Sequence, residues 1–140
     1  MNDYSGPFLI TPERYEDSRG SMGIIQDHKI PFKILRTFWL SQVPENTRRG
    51  GHAHRISEQL LICLKGTIKS ELEDLNGQFH QFCLEPHQAL YLPPLCWGHF
   101  TFHQNATALC LASDHFDETD YIRDYAVFEE LKDAIKDRGL

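Results

Sequence analysis

Arg49-Gly50-Gly51-His52-Ala53-His54, with Glu58 and Gln59 following and then Leu60-Leu61-Ile62-Cys63-Leu64-Lys65-Gly66, decides how this chain is read. Side chains in an extended segment alternate with period 2, so His52 and His54 share one face. The apolar run 60–64 predicts a buried strand that stops at a Gly66 turn. Two imidazoles, each with an unperturbed pKa near neutrality, thus stand beside Arg49 at the start of a strand. Residues of these types in this pattern make either a metal site or an acid/base site.

Outward from that stretch, strands dominate. Residues 23–25 and 32–40 are rich in β-branched and aromatic side chains. In the second segment Phe32, Ile34, Arg36, Phe38 and Leu40 share a face, so Arg36 is a lone cation in an apolar row. Residues 44–51 are polar and end in glycine, which predicts a loop. Residues 67–72 alternate, with Ile68, Ser70 and Leu72 inward and Lys69 and Glu71 outward. Asp74-Leu75-Asn76-Gly77 reads as a hairpin turn. Further strands are expected over 78–84, 89–92 and 100–111, with Pro93-Pro94 closing one and Gln104-Asn105 turning another. Only 127–138 reads as helix, because Val127, Phe128, Leu131 and Ile135 recur at helical spacing and Gly139 follows as a stop. Short strands with Gly, Pro and Asn turns and one terminal helix indicate an all-β, double-sheet jelly roll or barrel. Its interior admits one small ligand. His52, His54, Arg36 and His99 are expected to point into that interior, since polar groups on an inner face are costly unless paired or used.

Composition narrows the function. A chain of 140 residues with 41% hydrophobic content is expected to form a single domain, 1–140, around one core. No segment approaches the roughly 18 apolar residues of a membrane span. The N-terminus, Met1-Asn2-Asp3-Tyr4-Ser5, lacks the basic and apolar regions of a secretory signal. Cys63, Cys83, Cys96 and Cys110 lack C-x-x-C spacing, and Cys63 and Cys110 lie in apolar runs, as reduced thiols of a cytoplasmic protein do. A formal charge of −6 argues against nucleic acid as a partner. A small anionic ligand is compatible with it if arginines converge locally.

Gly51, His52, His54, Glu58 and Gly66, followed by Pro94, Cys96 and His99, resemble the two-part motif of the cupin superfamily. The resemblance is narrower than that. Asp17-Ser18-Arg19-Gly20-Ser21, Arg49-Gly50, His52-Ala53-His54, Glu58-Gln59, Leu90-Tyr91, Pro94, Trp97 and the segment from Leu111 through Asp117-Glu118-Thr119-Asp120-Tyr121-Ile122-Arg123 are similar to the dTDP-4-keto-6-deoxyglucose 3,4-ketoisomerases. A more distant similarity links the chain to dTDP-sugar 3,5-epimerases. The resemblance implies a cupin jelly roll with a short C-terminal helix and a dTDP-linked keto-deoxy sugar as substrate. It further implies no metal, no cofactor, and a homodimer in which N-terminal strands are exchanged.

Moving a carbonyl between neighbouring carbons through an enediol is acid/base work, for which neutral histidine is suited. His52 and His54 are the candidate catalytic pair, with their division of labour open. Arg49, Arg19 and Arg36 are candidates for the substrate's diphosphate, because guanidinium pairs with phosphate oxygens bidentately. Trp97 and Tyr91 are candidate walls for the thymine ring. Glu58 is expected to orient a histidine, and His99 to contact substrate or hydrogen-bond a loop. The segment 114–123 is expected to be a structural closure leading to the helix. The rival reading is a metal-dependent cupin, a dioxygenase or metal-assisted isomerase, in which His52, His54, Glu58 and His99 form a three-histidine, one-carboxylate site. A third class is a sugar-binding cupin without catalysis.

Overall fold

In the computed structural model, which describes residues 6–138, the strands in chain order are β1 (Phe8–Ile10), β2 (Glu13–Asp17), β3 (Gly20–Ile24), β4 (Arg36–Leu40), β5 (Thr47–His54), β6 (Gln59–Glu73), β7 (Phe79–Leu84), β8 (Ala89–Leu92), β9 (Trp97–Ala112) and β10 (Tyr121–Ile122). Helix α1 (Tyr125–Asp137) follows. β6 and β9 are long, antiparallel to each other, and shared by two sheets. The first half of β6 and the second half of β9 pair with β8 and β4, and β1 extends that sheet from β8. The other halves pair with β7 and β5, and β10 lies beyond β5. The result is the double-sheet jelly roll of a cupin.

Gly66 is where the two sheets meet, and it is not the strand end that the sequence suggested. β6 runs through it, with the register to β9 shifting between Cys63 and Lys65 and again between Lys65 and Thr67. Gly66 has φ +72°, and a Cβ there would lie 2.6 Å from the His103 carbonyl oxygen. Across from it Gln104 and Asn105 adopt φ +58°, so they bend β9 without ending it. A glycine bulge facing two left-handed residues lets both strands fold over sharply.

Between the sheets lie Leu61, Cys63, Leu90 and Cys110 from one side and Ile68, Leu72 and Phe102 from the other. A second cluster, Leu60, Ile62 and Tyr91 with Ile30, covers the outer face of the first sheet. A third, Ala53, Trp97, Ile122 and Phe128, seats the helix. The helix begins two residues before the expected Val127 because the Asp124 side chain accepts a hydrogen bond from Ala126 N–H, capping it. Lys132 Nζ donates to Glu73 Oε1 at 2.6 Å and Tyr125 Oη to Glu73 Oε2 at 2.7 Å, tying the helix to β6. Gly139, expected as the helix stop, and the N-terminal residues 1–5 lie outside the described residues.

Two further segments differ from the sequence reading. β4 begins only at Arg36, and 47–51 is strand where a loop was expected. The polar side chains of that stretch lie on a strand whose edge and outer face meet solvent, and its backbone is paired with β9 from Thr47 onward. Composition read the side chains, while the ladder is made by the backbone.

Candidate active site

The site is built on β5, and a bulge decides its contents. Arg49 faces Phe100 of β9, Gly50 faces His99 and His52 faces Gly98, with one extra residue between Gly50 and His52. Plain alternation would put Arg49 and His52 on opposite faces. The inserted residue brings Arg49, His52 and His54 to the same inner face. Gly50 (φ +93°) and Gly51 (φ +78°) supply the backbone that this needs. A Cβ at Gly50 would lie 2.6 Å from the Gly98 carbonyl oxygen.

The His52 and His54 rings are 5.2 Å apart, nearly perpendicular at 89°. Tyr121 closes the triangle, its ring 5.0 Å from His52 and 4.4 Å from His54. Both histidines sit largely out of water, and their environments differ. His54 Nδ1 is 3.0 Å from Asp120 Oδ2, and Asp120 Oδ1 accepts the Ile56 backbone N–H at 2.8 Å. His54 Nε2 is 3.3 Å from the amide nitrogen of Gln59. His52 Nδ1 is buried and has no partner at full hydrogen-bond geometry, with only the Gly50 backbone near enough to oppose the fall of its pKa. Burial, then the neighbouring His54 and Arg123, push His52 down to about 4. Burial also lowers His54, opposed by its hydrogen bond to Asp120. Both rings are therefore neutral in the pH range of a living cell, with lone pairs able to accept protons.

In front of His52 opens a cavity of about 240 Å³, lined by Arg49, Gln59, Tyr121 and Arg123 on its polar side and by Phe38, Leu92 and Phe100 on its apolar side. Arg123 lies 4.3 Å over the Tyr121 ring and pairs with Glu118 at 2.6 Å. Two guanidinium groups at the cavity suit a bidentate anion such as a diphosphate. Arg36 is on the inner face as expected, 5.2 Å from the Phe38 ring, with its Nε buried and unpaired. Its charge contributes to the lowering of His54.

Five other candidates lie elsewhere. His99 pairs across from Gly50 and Glu71, which places it on the outer face; Gly98 takes the inward position instead. The expectation that His99 shares the interior is corrected by that register. Trp97, also outward, packs 5.3 Å from Tyr125 and 5.8 Å from Phe128 under the helix. A larger cleft of about 530 Å³ runs along this outer face past Arg48, Glu71, Trp97 and His99. Size does not make it the site, because His52, beside His54, opens onto the smaller cavity. Tyr91 Oη donates to Glu58 Oε1 at 2.5 Å on the outer side of the first sheet, and burial followed by Glu58 raises its pKa. Glu58 therefore does not orient a histidine; Asp120 does. Arg19 is at the turn of the β2–β3 hairpin, its side chain 88% exposed and paired with Asp17 at 2.6 Å.

The metal reading fails on the same geometry. Glu58 and His99 leave the His52–His54 face in different directions, so the supposed four ligands do not converge. Beside the two histidines the inward positions hold Gln59 and Gly98, which give a neutral amide and no side chain. Among the described residues no three His, Cys, Asp or Glu side chains group as a metal site. The residues sequence reasoning passed over are Asp120, Tyr121 and Arg123, all within 114–123, and Gln59. Their signal was present in the match of that segment to the ketoisomerases.

Fold and site together define a cupin-type barrel with a pair of neutral histidines at its inner cavity. The family model described as "FdtA: WxcM-like, C-terminal" matches residues 7–133, and the chain belongs to that family of sugar 3,4-ketoisomerases. It is 39% identical over 124 residues to the TDP-4-oxo-6-deoxy-alpha-D-glucose-3,4-oxoisomerase of Aneurinibacillus thermoaerophilus, covering 87% of this chain and 89% of that one. The sugar 3,4-ketoisomerase QdtA of Thermoanaerobacterium thermosaccharolyticum, solved in complex with TDP, superposes with a TM-score of 0.84 at 33% identity, covering 96% of this chain and 98% of that one. WlaRA, a TDP-fucose-3,4-ketoisomerase from Campylobacter jejuni, gives 0.80 at 27% identity, with 94% and 96% covered.

Proposed function

We propose that this chain is a 3,4-ketoisomerase that interconverts the 4-keto and 3-keto forms of a dTDP-linked 6-deoxyhexose. One observation carries the reading: neutral His52 faces one cavity together with Arg49 and Arg123, with His54, also neutral, 5.2 Å behind it and lining with it the adjoining gap. The sugar ring occupies that cavity and the diphosphate lies toward the two arginines. His52, neutral and lining the cavity, removes the proton from C3. The C3–H electron pair becomes the C3=C4 bond, and the former carbonyl electrons go to the C4 oxygen, giving an enediolate. His54, held by Asp120, takes the C3 hydroxyl proton on Nε2 and passes it to the C4 oxygen. His52 returns its proton to C4 as the C3 oxygen closes to a ketone. Oxidation at one carbon matches reduction at the next, so the sequence of steps needs no redox partner.

The β2–β3 hairpin supports the homodimer. All of its residues but Ile24 are exposed, including Tyr15 at 57% and Met22 at 56%, and a two-stranded hairpin alone is marginal in water. In the dimer it lies on the partner subunit, where Arg19 reaches the substrate region. The four free cysteines fit the cytoplasm, where thiols stay reduced. Among the described residues no helix is long and apolar enough to cross a membrane.

The test is direct. Purified protein is incubated with dTDP-4-keto-6-deoxyglucose and followed by proton and carbon NMR. The expected result is a carbonyl that moves from C4 to C3. An unchanged spectrum, with the 3,4-ketoisomerase of a relative active in the same buffer, would refute the assignment.

A further inference from the structure

Gln59 opens β6 one residue after Glu58, and alternation turns it inward where Glu58 turns away. It is 8% exposed, and its amide nitrogen lies 3.3 Å from His54 Nε2. An amide nitrogen only donates, so it calls for a lone pair on Nε2. Asp120 Oδ2, 3.0 Å from Nδ1, only accepts, so it calls for a proton on Nδ1. The two partners agree on one state, a neutral ring with its proton toward Asp120. They pull differently on the charge, however. A buried carboxylate beside a histidine favours the imidazolium. An N–H₂ group facing the other nitrogen opposes it.

We propose that Gln59 is a positioning residue that keeps Nε2 of His54 free of a proton beside Asp120, so that His54 starts each turnover as an acceptor. When Nε2 takes a proton, rotation of the Gln59 amide presents its oxygen to the new N–H. The same side chain thus accommodates both charge states of the ring. The other charged or titratable groups around His54 are His52 on its own strand, Arg36 from β4, Arg123 after β10, Tyr121, and Cys96 across the small gap lined by both histidines. None of them faces Nε2 as a hydrogen-bond donor in the structure; Gln59 does.

The kinetic part of this inference rests on the isomerase reading, while the structural part does not. Nitrogen-15 NMR of the histidine rings, taken through a pH titration of substrate-free protein, reads the charge of His54 without any turnover. The wild-type ring is expected to be neutral, protonated on Nδ1, through the neutral range. In Gln59→Glu an acceptor replaces the donor, and the His54 midpoint should rise by about one to three pH units. Gln59→Leu keeps the bulk without the donor and should move the midpoint the same way by less; it serves if the charged variant fails to fold. In turnover, Gln59→Glu should lose roughly ten- to hundredfold in kcat at neutral pH, the range that partners orienting a ligand histidine carry. That loss should shrink as pH rises and His54 gives up its proton, with KM little changed. A merely structural defect would lower kcat at every pH. Midpoints in both variants equal to the wild-type value would overturn the inference whether or not the protein is an isomerase.

Discussion

On the inner face of β5 and β9, Arg49 and His52 line a cavity with Tyr121, and His54 stands beside His52; on the outer face of the same strands, Arg48, Trp97 and His99 line an open cleft. Both faces hold a histidine and an arginine, and the outer concavity is the larger. Only the inner face has two imidazoles within 5.2 Å and a carboxylate behind one of them. Burial there takes the ring away from water and disfavours its charged form, and the neighbouring His54 and Arg123 add to this, which is why His52 is pushed so far below its ordinary value. Residue type therefore says little about chemistry until the register has assigned each side chain to a face.

The largest expected effect breaks the comparison at its centre. His52→Asn keeps a polar group of similar shape but removes the base, and should cost about 10²–10⁴-fold in turnover with dTDP binding retained. His99→Asn, on the other face, should stay within about threefold. NMR assays of the two variants on the 4-keto sugar decide the matter; equal losses would mean that the faces do not differ in function.

Next in size is anion binding. Arg49→Ala should weaken dTDP roughly tenfold, since a charge-assisted bidentate contact is removed, whereas Arg48→Ala should barely change it. Thermal shifts measured over a dTDP titration report both, because a ligand that binds the folded state raises its melting temperature by linkage. A larger effect for Arg48 would move the nucleotide to the outer cleft.

A smaller effect sharpens the electrostatics. Arg123 is one of the charges that lower His52, so Arg123→Ala should raise the acid limb of kcat/KM above its wild-type position near pH 4. A downward move would show that Arg123 does not act on His52 through its charge. The smallest effect concerns stability. His52 is depressed in the folded state relative to about 6.5 in the unfolded chain, so the unfolded chain binds the extra proton first. Stability is thus fully present above about pH 6.5 and is lost as pH falls toward about 4. Urea midpoints of His52→Asn should show a shallower decline across that window, and an identical slope would place the titration elsewhere.

Much of this could be read from the sequence, and the reasons are physical. His52 and His54 needed only local alternation, and the strands around 60–64, 67–72 and 89–92 announce themselves by apolar content or period. The Asn-Gly turn and the helix carry equally local signals. What failed to appear depends on distant pairing. Asp120 reaches His54 from 66 residues away, and nothing near either residue says that it will. Glu58 and Gln59 differ by one position, so their faces depend on where β6 begins. His99 was placed inside for want of the β5–β9 register, which gives the inward position to Gly98. The ketoisomerase-like segment 114–123 did contain the missing carboxylate, tyrosine and arginine, but a match identifies a segment without saying which of its side chains turn inward.

The bend at Gly66 sets how sharply the two sheets fold over one another. The walls of the cavity belong to the two sheets that β6 and β9 share, so their spacing follows from how sharply those two strands fold over. At the crease a hydrogen atom is all that fits within 2.6 Å of the His103 carbonyl. Replacing lining residues such as Phe38 or Phe100 can reshape the surface that meets a substrate but leaves the walls where they are. A barrel of this kind would gain room for a bulkier hexose through its crease, far from any atom that the hexose touches.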